Sequence, residues 1–227
     1  AVDGDSTTSA FTITDAATVT VTSTGTGTND IKSLALDAVD TTSLTVTGAT
    51  TASATLATGN ITATDQVTSV ELTSSTSGAT VTLGTIADAD SLTSLTMNAA
   101  YGNVAVGNIG ASGSAEALAA ISLTATNGAT VGLNAKTITA DTTNSTTDNA
   151  MVITASAGTS STVEVGTITN TYGSIIANVS GAGTTSSDGL TADDVTVNIT
   201  SGGGIHDLIT ATDDIVITAA NSAALVF

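Results

Sequence analysis

Carboxylates are the side chains best equipped for chemistry in this sequence, and they come in pairs. Asp3 and Asp5 stand two residues apart, as do Asp88 and Asp90, while Asp193–Asp194 and Asp213–Asp214 are adjacent. Asp207 follows a run of three glycines, Gly202 to Gly204. Hard carboxylate oxygens at such spacings suit a hard cation, and Ca²⁺ is the one that takes several of them. Asp207, Asp193, Asp194, Asp213, Asp214, Asp88 and Asp90 are therefore candidate Ca²⁺ ligands. None of these stretches carries the remaining ligands of an EF-hand loop. Asp is also a turn residue, because its short side chain bonds nearby backbone amides, so each pair also reads as a solvated turn.

Catalysis lacks its usual parts. The chain has a single histidine, His206, and no Cys. Ser and Thr abound, yet no Gly-x-Ser-x-Gly elbow is present to expose a nucleophile. Two close carboxylates could hydrolyse a glycoside, but clefts of that kind rely on aromatic stacking and, for acidic sugars, on basic groups. Aromatics make up 2% of this chain, and Lys plus Arg number 2. The expectation is a protein that is not an enzyme.

The elements that would position these carboxylates are strands. More than a fifth of the residues are Thr, alternating with Val, Ile, Leu and Ala in runs such as 18–22, 43–47, 79–83 and 195–199. A period of two in β-branched residues marks a strand with one face in and one face out. The outward member is nearly always Thr or Ser, which makes an uncharged outer face. The segment 114–121 is the only candidate helix, about two turns long.

The strands recur in units. Gly-x-Ile closes a strand at Gly59 to Ile61, Gly84 to Ile86, Gly107 to Ile109 and Gly166 to Ile168, with a degenerate copy at Leu133 to Ala135. Between these marks lies a second strand of similar form, at Leu44 to Val46, Val70 to Leu72, Leu95 to Met97 and Ile121 to Leu123. A repeat of this size, with one supersecondary unit per repeat, indicates a solenoid or an array. The expected fold is all-β, a parallel β-solenoid (β-helix) of roughly 25-residue coils. The alternative is an antiparallel sandwich or meander. It draws support from Asn127-Gly128, since Asn-Gly between alternating runs is a strong hairpin signal. The repetitive domain is expected over 1–180, with a Gly/Asp-rich terminal β segment over 181–227 that belongs to the same solenoid or stands apart.

Composition narrows the partners. Asp plus Glu number 20 against 2 basic residues, for a net charge of −18. That balance excludes the electrostatic footprint of a nucleic-acid binder and argues against docking on an anionic bilayer. No apolar run is long enough to span a membrane. There is no Pro and no Cys, so no disulfide supports the fold, and Gly, Asn and Asp supply the turns. No basic segment followed by an apolar one opens the chain, so no signal peptide is expected there.

Residues 202–210 resemble one calcium-binding nonapeptide of the RTX family, Gly-Gly-x-Gly-x-Asp-x-U-x with U a large apolar residue. Gly202, Gly203, Asp207 and Ile209 match it, while Ile205 stands in place of the third Gly. The texture of the whole chain, with the phrases Val67 to Glu71 and Leu92 to Thr96, resembles a stretch of a bacterial surface-layer (S-layer) protein of the type exported by RTX-linked type I secretion. The resemblance implies an extracellular, β-solenoid structural subunit at the cell surface, self-assembling into a lattice bridged by Ca²⁺, with cell-surface polysaccharide as a further partner. Filament or pilus subunits and adhesin stalks share the texture. An ice-binding solenoid is a further alternative, since Thr-x-Thr ladders can order water. It requires the motif at one phase in every coil, and from the sequence the phase differs between units.

Overall fold

The alternation of apolar residues with Thr or Ser becomes strands that are buried and exposed in turn. In Ser94–Ala99 the residues Leu95, Met97 and Ala99 are buried, and those between them face outward. The computed structural model describes residues 6–8, 11–14, 16–23, 27–37, 43–48, 55–62, 67–87, 89–110, 115–133, 136–140, 149–202, 204 and 208–220.

The strands stack into three parallel sheets that form the sides of a coil. The first sheet has nine strands, Thr18–Thr22, Ser43–Thr47, Ser69–Ser74, Ser94–Ala99, Ala120–Ala125, Met151–Ala157, Ile175–Ser180, Val195–Ile199 and Ile215–Ala219, each parallel to the next. The second runs from Ser6–Thr8 through Thr28–Asp37, Thr55–Thr62, Thr80–Leu83, Asn103–Val106, Thr130–Gly132 and Thr162–Glu164 to Thr184–Ser186. The third, short sheet holds Thr137–Ala140, Thr167–Asn170, Gly189–Ala192 and Leu208–Ala211. Parallel neighbours need a crossover between them. Here the crossover is the rest of the coil, so the chain visits all three sides before returning one rung further along. This is the expected parallel β-solenoid, and the antiparallel alternative is overturned. The ladder crosses residue 180 without a break, since Ile175–Ser180 pairs with Val195–Ile199.

Register turns the repeats of the sequence into columns. Leu44 pairs with Val70, Val70 with Leu95, Leu95 with Ile121 and Ile121 with Ile153. The Gly-x-Ile mark becomes a column of isoleucines, with Ile61 bridged to Ile86, Ile86 to Ile109 and Ile109 to Ile138, then Ile138 to Ile168. All five are buried. The member of this column in the fourth repeat is thus Ile138 rather than the expected copy at Leu133 to Ala135. Leu133 lies earlier in the same coil, directly after the strand Thr130–Gly132, its amide bonded to the Glu164 carbonyl at 2.9 Å. Each fully buried Leu or Ile contributes about 1.5–3 kcal/mol. The columns make that gain repeat with every rung, with no aromatic among the described buried hydrophobics.

Two local expectations change. Asn127 and Gly128 do form the tight turn their residue types favour, with φ of 53° and 79° and the Ala129 amide bonded to the Thr126 carbonyl at 3.1 Å. That turn is a corner from the first sheet to the second rather than a hairpin, because the strands it joins pair with other rungs. The helix expected over 114–121 is a single turn, Leu118 N to Ala115 O at 3.0 Å, followed by the strand Ala120–Ala125. Apolar partners in the rungs on either side outweigh helix propensity there.

Candidate functional site

The first sheet carries almost no charge. Among its nine strands Glu71 is the only ionisable residue. One outward row reads Thr20, Thr45, Glu71, Thr96, Ser122, Thr154, Asn178, Asn198 and Thr218, each paired in register with the next. A second row reads Thr22, Thr47, Thr73, Asn98, Thr124, Ser156 and Ser180. The phase of the polar residues is therefore constant along this side, which corrects the sequence-based expectation of a phase that differs between units. Variation in coil length hides the phase in the linear sequence, and the register restores it. Rungs about 4.8 Å apart and outward residues about 6.6 Å apart along each strand make a flat grid of hydroxyls and amides. Asn198 Nδ2 donates to Asn178 Oδ1 at 3.1 Å within it.

Four carboxylates gather instead at a corner. Asp193 and Asp194 follow the short-sheet strand Gly189–Ala192, and Asp213 and Asp214 follow Leu208–Ala211 one rung on. The Asp213 amide bonds to the Asp193 carbonyl at 3.0 Å, so the two pairs stack. Asp194 Oδ1 accepts the Asp214 amide at 3.0 Å, and Asp193 Oδ1 accepts the Thr212 hydroxyl. Asp193 and Asp194 are half-buried, while Asp213 and Asp214 are exposed. Asp90 is exposed in a turn further up the coil. Asp3, Asp5, Asp88, His206 and Asp207 lie outside the described residues, as does most of the glycine-rich stretch that precedes the strand Leu208–Ala211. Among the described residues no group of three or more carboxylates or histidines is arranged to hold a metal ion. The four corner aspartates thus stand together without forming a closed cage in one chain.

A feature that residue patterns did not single out lies where the second sheet turns into the short sheet. A trough of about 390 Å³ runs over four coils there, lined by Asn60, Gly84, Thr85, Gly107, Asn108 and Lys136 among others. Its floor is bare backbone. A Cβ placed on Gly84 would lie 2.5 Å from the backbone carbon of Gly59, and one on Gly107 2.8 Å from that of Gly84, so only glycine lets the rungs stack this closely. Asn60 Oδ1 accepts the Thr85 amide at 3.1 Å, and Asn108 Oδ1 accepts the Thr137 amide at 3.1 Å. The only sequence signal for Lys136 was its rarity as one of 2 basic residues.

Among the described residues no helix is long and apolar enough to cross a membrane. Comparison of the chain with protein-family models, with curated proteins and with solved structures finds no match.

Proposed function

We propose that this chain is an extracellular structural protein whose solenoids associate into a surface layer or fibre, with Ca²⁺ promoting the association. The observation that carries this reading is the nine-rung outer face on which Glu71 is the only charge. A long, flat, regular β surface without the charges that normally guard such surfaces favours contact with another copy. Opposing it is the net charge of −18 on every subunit, which drives like subunits apart at low ionic strength. Divalent cations relieve that repulsion. Because the described carboxylates build no closed cage in one chain, the Ca²⁺ of this reading bridges two copies. No residue is assigned a catalytic role.

Light scattering and negative-stain microscopy with millimolar Ca²⁺, then with excess chelator, test the reading. Ordered sheets or fibres should grow with calcium and shrink when it is removed. A chain that stays monomeric in both conditions sinks the proposal.

The constant phase of the outward rows favours a second reading, an ice-binding face on which Thr hydroxyl and methyl groups order water. A monodisperse protein that lowers the freezing point of its solution below the melting point would support it over assembly.

A further inference from the structure

Lys136 is exposed at the start of the short-sheet strand Thr137–Ala140, and among the described residues no carboxylate pairs with it. In the trough beside it, Asn60 and Asn108 turn their amide oxygens to the backbone amides of Thr85 and Thr137. Among the described residues their Nδ2 groups have no partner. The trough therefore offers an ammonium and two amide NH₂ groups, and no carboxylate lines it. In a chain with 20 acidic residues, a trough whose only charge among the described residues is an ammonium, beside Thr hydroxyls that can donate or accept, is complementary to the rest of the molecule's own surface.

The matching surface lies at the other end of the same short sheet. Its strands leave the Lys136 corner and finish at the acidic corner. There the carboxylates of Asp193 and Asp194 accept hydrogen bonds from Thr212 and from the Asp214 amide. Those of Asp213 and Asp214 are exposed and have no partner among the described residues. Ile138 stacks on Ile168, Ile168 on Leu190 and Leu190 on Ile209, so the turn holding Asp213 and Asp214 lies three rungs beyond that of Lys136.

We propose that in the assembled state the Lys136 trough of one subunit receives the Asp213–Asp214 turn of a second copy. The proposal rests on the self-assembly reading and names its lateral contact. Sliding a copy sideways along the direction of the short-sheet strands brings its acidic corner to the side on which its neighbour carries Lys136, with Asp188 two rungs further on. The two corners meet when the neighbours are staggered by three rungs, about 14 Å. Ammonium and amide donors then face carboxylates in charge-assisted hydrogen bonds. The contact joins two different patches, so it does not close on itself. It repeats from subunit to subunit and lays the short sheets in one plane.

Zero-length carbodiimide coupling of calcium-assembled protein, made from equal parts of ¹⁴N and ¹⁵N chains, tests the contact directly. The expected product is an isopeptide bond between Lys136 and Asp213 or Asp214 with mixed isotopes. Lys136→Glu should weaken association about fivefold, the scale of one exposed ion pair. Adding Asp213→Lys and Asp214→Lys to that variant should restore it, with circular dichroism confirming the fold of each. If the protein assembles, Lys136→Glu assembles equally well and no mixed cross-link forms, this contact is wrong while the self-assembly reading stands. Cross-links confined to single chains overturn it in the same way. A wild-type chain that never associates removes both. A galacturonate oligomer that shields Lys136 from acetylation without disturbing assembly would make a saccharide the occupant and overturn the proposal.

Discussion

Between the short sheet and the first sheet, the middle rungs and the last rungs turn on opposite chemistry. In the middle, Ala89 and Leu92 are buried in a turn closed by Leu92 N to Ala89 O at 3.0 Å, and Ala115 and Leu118 repeat it one rung later, again at 3.0 Å. Val67, Leu92 and Leu118 each stand two residues before a first-sheet strand in matching register, so they stack as one more apolar column. With Leu44, Ile61, Val70, Ile86 and Ala89, the first two enclose a void of about 10 Å³, at the lower limit of what holds a water. In the last rungs the corner is the short acidic turn of Asp193–Asp194 and then Asp213–Asp214. The coil contracts accordingly, from 25 residues between Thr68 and Thr93 to 20 between Asn178 and Asn198. The contrast teaches that the three sheets hold their register while the corners, this one among them, absorb changes in length. Where it is long it buries apolar side chains beside the exposed Asp90, and in the two rungs of the aspartate pairs, where it is short, it displays charge alone.

The interior follows the same division. In the middle rungs the buried hydroxyls of Thr58 and Ser74 reach the carbonyls of Thr82 and Ala79, at 3.3 and 3.4 Å. Towards the end, Thr185 and Ser187 are buried with hydroxyl oxygens that have no partner among the described residues, and Asn170 likewise keeps an unbonded Oδ1. Thr185 pairs in register with Val163, so a hydroxyl stands where the preceding rung has a methyl.

Leu92→Ala should break the comparison hardest. It removes a buried side chain from the long corner and should cost about 3 kcal/mol, read from urea unfolding. A loss below about 1 kcal/mol would mean that the corner is not packed as part of the core. Thr185→Val should act in the opposite sense, raising stability by about 1 kcal/mol, because a nearly isosteric methyl replaces an unsatisfied buried hydroxyl. A fall in stability would show that the hydroxyl has a partner. Asp194→Ala should have the smallest effect, a loss of about 0.5–1 kcal/mol for the bond its carboxylate accepts from the Asp214 amide. A loss as large as that of Leu92→Ala would erase the distinction between the two corners.

Much of this arrangement was legible in the residues. The columns Leu44–Val70–Leu95–Ile121 and Ile61–Ile86–Ile109 follow directly from the repeated motifs, since rungs of nearly equal length keep like residues in register. Legibility failed where the corners change length. The Ile column resumes at Ile138, displaced from the expected site because extra residues enter the corner before it. The outward Thr rows were hidden for the same reason, as a phase counted along the chain drifts while the phase counted along the axis does not. Asn127-Gly128 shows a different limit. Its turn geometry is local and readable, but whether a turn reverses a strand or only bends it depends on which rung the next strand meets. The stacking of Asp193–Asp194 on Asp213–Asp214 was implicit in their spacing, whereas the Lys136 trough depends on bare glycine backbone from three coils and left no pattern in the sequence.

The parallel pairing of every rung also has a mechanical side. Hydrogen bonds between parallel strands lie across the strands, and here that direction is the long axis of the solenoid. A pull along the axis loads the bonds of all three sides of a coil together, so they share the force and must give way as a set. A pull on one end of the chain peels a single strand at a time and meets far less resistance. The molecule is therefore strong as a strut and weak as a thread, and how neighbours grip it decides which of the two a load will find.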